Sequence, residues 1–437
     1  MEKVQKLAAA MPQLGSGEVN LALLTISSLI ILLGLFSKFK QRVFLSDPIV
    51  ALLVGFGLGP SILGWIKLSD WGEPEVILEQ GARLTLAIQL MGVALRLPRG
   101  YPFQQWRSLG LLLGIVMPLM WLSSSLFIYL ILGLPFWVAM LVGAIVTPTD
   151  PVVSTFIVTG KVAQQNIPSR IRSIISAESG ANDGLAYPFV FLPLLILTRS
   201  PQDALLHWVT KTLLWEVGAA VALGTLLGYG AGKLLMWAEA NQTTENRSFF
   251  SFTVAFSVLV LGAVKLLGSD GVLAVFVAGV VLNQVVGGQN RINQEYDVQE
   301  AIELLFTLYI FLLLGLALPW REWLALGWNG LLLVVAILLL RRLPALLLLR
   351  RFINPLQSPQ DALFMGWFGP IGVAALFYAI VSMRQTGVET AWVVTSLLIC
   401  ASVLAHGLSA VPLSKLYGRY CQARNAKSKS YSTGLNG

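Results

Sequence analysis

Residues Leu109 to Leu134 read LGLLLGIVMPLMWLSSSLFIYLILGL and contain no charged side chain. An uninterrupted apolar run of about 18 residues or more is typical of a membrane-spanning helix. Similar runs, such as Leu21 to Phe36 and Leu324 to Leu340, recur along almost the whole chain of 437 residues. The chain is 56% hydrophobic and only 12% charged, whereas soluble domains average about 25% charged residues. The sequence therefore predicts one large membrane domain.

Thirteen apolar segments predict an all-α polytopic membrane protein with about 13 transmembrane helices. In chain order, segments 1 to 13 lie at about 20–37, 45–63, 76–97, 108–131, 135–160, 170–198, 206–237, 249–267, 270–287, 299–318, 323–349, 360–383 and 389–416. We expect residues 1–19 to form an N-terminal segment and residues 20–420 to form the membrane domain. Residues 421–437 are rich in Ser, Lys and Asn, and we expect a disordered cytoplasmic tail there.

Two of these segments are interrupted at matching places. Segment 5 contains Thr147-Pro148-Thr149-Asp150-Pro151, and segment 12 contains Gly366-Trp367-Phe368-Gly369-Pro370-Ile371-Gly372. These are the fifth helices of segments 1–6 and of segments 8–13. Matching interruptions in two halves are typical of a transporter built from inverted repeats, with its binding site near the middle of the bilayer. The pattern predicts two inverted repeats with discontinuous crossing helices.

Lys and Arg are concentrated in the odd-numbered loops and in the C-terminal tail. Because basic residues accumulate on the cytoplasmic side of membrane proteins, we expect a multi-pass protein of the cell membrane with a cytoplasmic C-terminus and an extracytoplasmic N-terminus. The same rule accounts for the net charge of +8, so no nucleic-acid partner is expected.

Segment 5 places a carboxylate beside a helix broken by prolines. Pro148 and Pro151 lack an N–H, so the carbonyls of Ala144 and Thr147 lose their helical partners. Free carbonyls are tolerated in a membrane only where they face protein or a polar cavity. Together with the Asp150 carboxylate they form an oxygen-rich site suited to a hard alkali cation. The alternative is an ordinary proline kink with an Asp at the end of a loop.

Segment 6 carries two carboxylates within six residues, although a charge at the bilayer centre costs about 2.5–3.5 kcal/mol. Glu178 and Asn182 are four residues apart and share one helical face, whereas Ser179 and Asp183 share a face turned by about 100°. We expect Ser179 and Asp183 to face the ion site with Asp150, and Glu178 and Asn182 to form a supporting layer. The alternative is a helix end at a wet interface.

A buried Glu178 requires a cationic partner, and segment 11 offers Arg341 and Arg342 within an apolar run. Adjacent helical residues point about 100° apart, so we expect only one of the two to turn inward. The other would extend towards the interface or mark the helix end. Alternatively, both lie at the cytoplasmic boundary.

The sequence lacks clustered His and Cys ligands, a Walker loop and a Gly-x-Ser-x-Gly motif. We therefore expect neither enzymatic activity nor a cofactor. Two membrane Asp residues also occur in intramembrane aspartyl hydrolases, but the motifs that surround them in those enzymes are missing here. A cation channel is the other alternative.

The sequence resembles the sodium/proton exchanger branch of the monovalent cation–proton antiporters over about residues 20–420, most closely the fungal plasma-membrane type and its bacterial relatives. The Glu-Ser-Gly-x-Asn-Asp-Gly stretch is the most specific match. The matching stretches are Thr149-Asp150-Pro151-Val152, Glu178-Ser179-Gly180-Ala181-Asn182-Asp183-Gly184, Arg341-Arg342-Leu343-Pro344, Gly366-Trp367-Phe368-Gly369-Pro370-Ile371-Gly372 and His406-Gly407-Leu408-Ser409.

The resemblance implies a homodimer. Its moving core would consist of segments 4–6 and 11–13, about residues 108–198 and 323–416, and the remaining segments would form a dimer domain. It also implies that Asp150 and Asp183 bind Na+, helped by Ser179 and the Thr149 backbone.

The resemblance further implies that Glu178 pairs with Asn182 and with an arginine of segment 11. Alignment of the following stretch, 352–354, favours Arg342 over Arg341. Many members carry an Arg where this chain has Ile371, so a positive charge near the crossing helices is expected to be missing.

The activity expected from these features is exchange of Na+, or of Li+ or K+, for H+, with ion and proton competing at Asp183 beside Asp150, and a role in pH homeostasis. Burial and a nearby carboxylate both favour the protonated form of a carboxyl group. Because Asn182 is neutral, the site has one titrating carboxylate fewer than a paired-Asp site. This predicts electroneutral 1:1 exchange.

Overall fold

The computed structural model describes residues 46–150, 155–241, 248–287 and 289–434, together with Val153 and a few positions between 24 and 31. Within these ranges the regular structure is entirely helical, which confirms the predicted fold class. Segment 1 falls largely outside the described residues, as does the N-terminal segment 1–19. The count of thirteen spans therefore stays a prediction.

Nine of the predicted segments appear as continuous helices close to their expected places. Segments 2, 3 and 4 are Asp47–Leu58, Pro74–Arg96 and Trp106–Leu132; segments 6 and 7 are Ser169–Thr198 and Pro201–Ala240; segments 8, 9, 10 and 13 are Ser248–Leu266, Gly271–Val286, Gln289–Leu316 and Glu389–Gly434. Within the described part of the chain, six helices are long and apolar enough to cross a membrane, judged by length and composition. The chain is therefore a multi-pass membrane protein.

Segments 5, 11 and 12 are each interrupted. Segment 5 begins with Phe136–Ile145, here called helix 5a, and resumes as the short helices Thr155–Val158 and Gly160–Asn166. Segment 12 consists of Pro359–Trp367, helix 12a, and Val373–Thr386, helix 12b. The discontinuous helices predicted in segments 5 and 12 are thus confirmed.

Segment 11 has a break that the sequence analysis did not predict. Its helices are Trp320–Ala325, Gly327–Leu340 and Leu343–Leu349, so Arg341 and Arg342 lie between two helices rather than within one. Pro344 stands at the start of the last helix. Because proline cannot donate to a carbonyl four residues earlier, the helix before it ends at Leu340.

Segment 6 lies at the centre of the bundle, in contact with segments 3, 5, 9 and 12. Its middle, from Ile174 to Gly184, is buried except for a partly exposed Ala181. Polar side chains on every face of this helix therefore meet protein rather than lipid.

The disordered cytoplasmic tail expected at 421–437 stays a prediction. The last helix continues to Gly434, and residues 435–437 lie outside the described residues. Residues 421–429 include Ala, Gln, Arg and Lys, which are strong helix formers and prolong the helix beyond the membrane segment.

Candidate ion-binding site

Segments 5 and 12 cross at the place where both helices are interrupted. The main-chain N–H of Asp150 donates to the carbonyl of Pro370 over 2.8 Å, which joins the two extended stretches directly. Pro148 and Pro370 lack an N–H and cannot continue a helix. The crossing therefore leaves main-chain groups at four helix ends that side chains must satisfy.

The Asp150 carboxylate satisfies two of these groups. Its Oδ1 accepts the N–H of Val153 over 3.1 Å, and its Oδ2 accepts the N–H of Val373, the first residue of helix 12b, over 2.6 Å. A carboxylate at a helix N-terminus also gains from the helix dipole. Gly372 makes this approach possible, because a Cβ there would lie 2.0 Å from Asp150 Oδ2.

Thr149 connects segment 5 to segment 6 through two side chains. Asn182 Oδ1 accepts the N–H of Thr149 over 3.1 Å, and Asn182 Nδ2 donates to Thr149 Oγ1 over 2.8 Å. Thr149 Oγ1 also shares a hydrogen bond of 3.1 Å with Ser179 Oγ. Ser179 and Asn182 therefore both reach segment 5, although the sequence analysis placed them on different faces. Residues three positions apart are neighbours on a helix surface, so both side chains reach the same segment.

Asp183 differs from every other polar group of the site. It is 1% exposed, and among the described residues neither carboxyl oxygen has a hydrogen-bond partner. Asp150 is close enough to act on it electrostatically. A buried ionised carboxylate without a partner is strongly disfavoured. Asp183 must therefore hold a proton or lie against a cation.

Glu178 is fully engaged elsewhere. Its two oxygens accept from Arg342 Nη1 and Nη2 over 2.7 and 2.6 Å, and both side chains are buried. Arg342 Nε donates to the carbonyl of Met365 over 3.2 Å, close to the end of helix 12a. This bidentate pair links segments 6, 11 and 12. Both Glu178 oxygens face Arg342 of segment 11.

The expectation that only one arginine turns inward is wrong. Arg341 is 4% exposed and donates to the carbonyls of Val146 and Gly369, just beyond the ends of helices 5a and 12a. The break between Leu340 and Leu343 removes the helical spacing on which the expectation rested. Ile371 therefore does not leave the crossing without a positive charge, because Arg341 supplies one.

Tyr378 and Ser402 were not singled out from the sequence as contacts of the site, and His406 was singled out only within a matching stretch. The hydroxyl of Tyr378, on helix 12b, donates to the main-chain carbonyl of Asp183 over 2.7 Å. Ser402 Oγ accepts the N–H of Ile371 over 2.8 Å, and His406, hydrogen-bonded to Ser402, donates from Nε2 to the carbonyl of Trp367 over 2.8 Å. The spacing of Ser402 and His406, one helical turn apart, was the available signal for a shared contact.

The family model described as "Sodium/hydrogen exchanger, transmembrane" matches residues 25–416. The chain belongs to the sodium/hydrogen exchanger family. The resemblance identified from the sequence motifs is thereby confirmed.

Several relatives of this sodium/hydrogen exchanger family member are known from fungi. Na(+)/H(+) antiporter 2 of Zygosaccharomyces rouxii is 34% identical over 425 residues, which cover 90% of this chain and 52% of that protein. The Na(+)/H(+) antiporter of Saccharomyces cerevisiae is 31% identical over 415 residues, 88% of this chain and 42% of that protein. The chain thus spans about half the length of these relatives.

A third relative has a similar length. The Na(+)/H(+) antiporter of Schizosaccharomyces pombe is 28% identical over 448 residues, which cover 96% of both chains. Among solved structures, the sodium proton antiporter MjNhaP1 from Methanocaldococcus jannaschii at pH 8 matches with a TM-score of 0.71 and 20% identity, over 92% of this chain and 98% of that one. At this identity the match shows that the two exchanger chains share a fold.

Proposed function

We propose that this protein exchanges Na+ for H+ across a membrane and that Asp183 binds both. The observation that carries the proposal is the Asp183 carboxyl group, buried at 1% exposure without a hydrogen-bond partner among the described residues and next to Asp150. Family membership and the names of the fungal relatives support it. Neither the aspartyl hydrolase nor the channel alternative has comparable support.

In the proposed cycle, a proton and a cation compete for the Asp183 carboxylate. Asp150, Ser179 and the Thr149 backbone supply further oxygens, as hard alkali cations prefer. Each carboxylate oxygen has two lone pairs, so the N–H bonds that Asp150 accepts do not prevent it from binding a cation as well. Li+ and K+ are the other candidate ions for the same set of oxygens.

The proposed stoichiometry is one H+ for each cation. Asn182 is neutral and engaged with Thr149, and both oxygens of Glu178 are held by Arg342. Asp150 accepts two main-chain N–H groups, which hold its carboxylate at the crossing. Asp183 is left as the carboxyl group free to exchange one proton for one ion.

The proposed moving part is the core of segments 4–6 and 11–13. The Glu178–Arg342 pair and the two Arg341 contacts join segments 5, 6, 11 and 12, which supports movement of the core as one body against the other segments. The remaining segments are proposed to form a homodimer contact in the cell membrane. The proposed orientation has a cytoplasmic C-terminus and an extracytoplasmic N-terminus.

The test is Na+-driven proton movement in proteoliposomes that contain a pH-sensitive dye. We expect Asp183→Asn to reduce the signal to that of protein-free vesicles, because Asn cannot carry a proton or a negative charge. Asp203→Asn is the matched control, since Asp203 is exposed and should leave exchange unchanged. Sustained exchange in the Asp183→Asn variant would refute the assignment, and Na+ flux that proceeds without proton movement would favour a channel.

A further inference from the structure

A second group of buried carboxyl oxygens lies outside the Asp183 site, in segment 7. Residues Trp208–Val217 of this segment form a π-helical stretch, and its two buried residues are Thr212 and Glu216. Thr212 Oγ1 and Glu216 Oε2 have no hydrogen-bond partner among the described residues. Thr212 and Glu216 therefore point into the protein, about one turn apart on the same face of this stretch. Each places an unpartnered oxygen there. Wide helical turns of this kind are frequent at functional sites.

Asp270 adds a third oxygen group at the same place. It caps segment 9, where its Oδ1 accepts the N–H of Val272 over 2.9 Å, and its Oδ2 has no partner among the described residues. The main-chain N–H of Asp270 and the hydroxyl of Ser269 donate to the carbonyl of Glu216 over 3.1 and 2.6 Å. These contacts fix the start of segment 9 against the π-helical stretch. They bring the carboxyl groups of Asp270 and Glu216 within electrostatic reach of each other.

Two tyrosines connect this group to the Asp183 site. Tyr187, one turn beyond Asp183 on segment 6, lies within electrostatic reach of Glu216. Tyr378, whose hydroxyl contacts the carbonyl of Asp183, lies within electrostatic reach of Asp270. Both tyrosines belong to the proposed core, whereas Glu216 and Asp270 belong to the segments outside it. The group therefore lies on the boundary between the two parts.

The charge balance of this group calls for a cation. Glu216 and Asp270 are 9% and 4% exposed. The basic side chain that acts on Asp270 is Lys265, which is solvent-exposed near the end of segment 8. Two buried carboxylates that face each other without a buried cationic partner are disfavoured unless a proton or a bound cation compensates them. The unpartnered oxygens are all of the hard type that alkali cations prefer.

We propose that Glu216, Asp270 and Thr212 form a second site for a monovalent cation, adjoining the Asp183 site. By the predicted orientation it lies on the extracytoplasmic side of Asp183. A cation bound there lies next to the exchange site, and its surroundings change when the core moves, because Tyr187 and Tyr378 then shift relative to Glu216 and Asp270. Only one part of this proposal rests on the proposed function, namely that the ion bound here is the ion that is transported.

The test is equilibrium binding of radioactive Na+ to the full-length detergent-purified protein at alkaline pH, in the Asp183→Asn background. We expect this variant to retain saturable binding of one ion per chain. Adding Glu216→Gln or Asp270→Asn should weaken the remaining binding at least about tenfold, the loss of one charged ligand being worth 1.4 kcal/mol or more. Glu322→Gln is the matched control, because Glu322 is exposed.

Two outcomes would overturn the proposal: no saturable binding in Asp183→Asn, or residual binding that neither Glu216→Gln nor Asp270→Asn weakens. Binding of a proton instead of Na+ would give the first outcome. Gel filtration and an unfolding curve for each variant exclude misfolding, and Glu216→Asp, which keeps the charge, should restore part of the affinity. Exchange by the wild-type protein is measured in parallel. Its absence would refute the proposed function, whereas exchange without a second binding site would refute this inference alone.

Discussion

Polar groups are hydrogen-bonded at the crossing of segments 5 and 12, whereas the neighbouring face of segment 6 carries a carboxyl group without hydrogen-bond partners among the described residues. At the crossing, Asp150 accepts two main-chain N–H groups and Arg341 donates to two carbonyls. Asp183 lies within electrostatic reach of Asp150, yet its carboxyl oxygens have no hydrogen-bond partner among the described residues. The difference indicates that Asp150 stabilises the fold, whereas Asp183 is available to bind a proton or a cation.

The largest stability effect is expected for the buried ion pair. Arg342→Met leaves Glu178 buried and uncompensated, which should lower the free energy of unfolding by about 3–5 kcal/mol. Adding Glu178→Met removes the stranded charge and should recover most of that loss. Denaturant titration of the purified variants measures both. If the double variant is no more stable than the single one, the pair is not what stabilises this side of segment 6.

Gly372→Ala tests the close approach at the crossing. The added Cβ would lie 2.0 Å from Asp150 Oδ2, so Asp150 or the start of helix 12b must move. Overpacking of this kind costs about 1–3 kcal/mol, and exchange should be lost with it. Gly262→Ala is the control, because no atom lies within 4 Å of a Cβ there. Equal unfolding midpoints for the two variants would contradict the tight crossing.

Paired alanine substitutions compare the two aspartates directly. Asp150→Ala removes a helix cap and should lower the free energy of unfolding by about 0.5–2 kcal/mol. Asp183→Ala removes a carboxyl group without hydrogen-bond partners and should leave stability unchanged or raise it, while both variants lose exchange. Unfolding curves recorded side by side decide the matter. A larger loss of stability for Asp183→Ala would reverse the roles assigned here.

The smallest effect is expected at the ion pair between Arg384 and Glu79, where helix 12b meets segment 3. Arg384 has 41% of its side chain exposed, and exposed ion pairs contribute about 0–1 kcal/mol. Arg384→Gln should therefore shift the unfolding midpoint little and leave exchange intact. A loss comparable to that of Arg342→Met would show that this contact has more than a surface role.

The sequence was sufficient to predict the helical fold and the two broken helices, and it singled out Asp150 and Asp183, whose role in ion binding stays a prediction. These follow from apolar runs, from prolines and from carboxylates too costly to place in lipid. The break at Arg341 and Arg342 was not predictable by the same reasoning, because helical spacing was assumed to continue through a single downstream proline, Pro344. The cap that Asp150 provides for helix 12b depends on a contact between residues 223 positions apart, which local patterns do not encode.

The charges of the crossing sum to zero, and this has an electrical consequence. Glu178 forms an ion pair with Arg342. Arg341, which donates to the carbonyls of Val146 and Gly369, and Asp150 each contribute one charge of opposite sign at the crossing. In the proposed cycle Asp183 carries either H+ or Na+, so the core crosses the membrane without net charge in both loaded forms. Membrane voltage does about 2.3 kcal/mol of work on each elementary charge per 100 mV, and it therefore does none on either step. A bare Asp183 would add one uncompensated negative charge to the moving part. In the proposed cycle that charge hinders the empty core from returning, which keeps the movements of Na+ and H+ coupled.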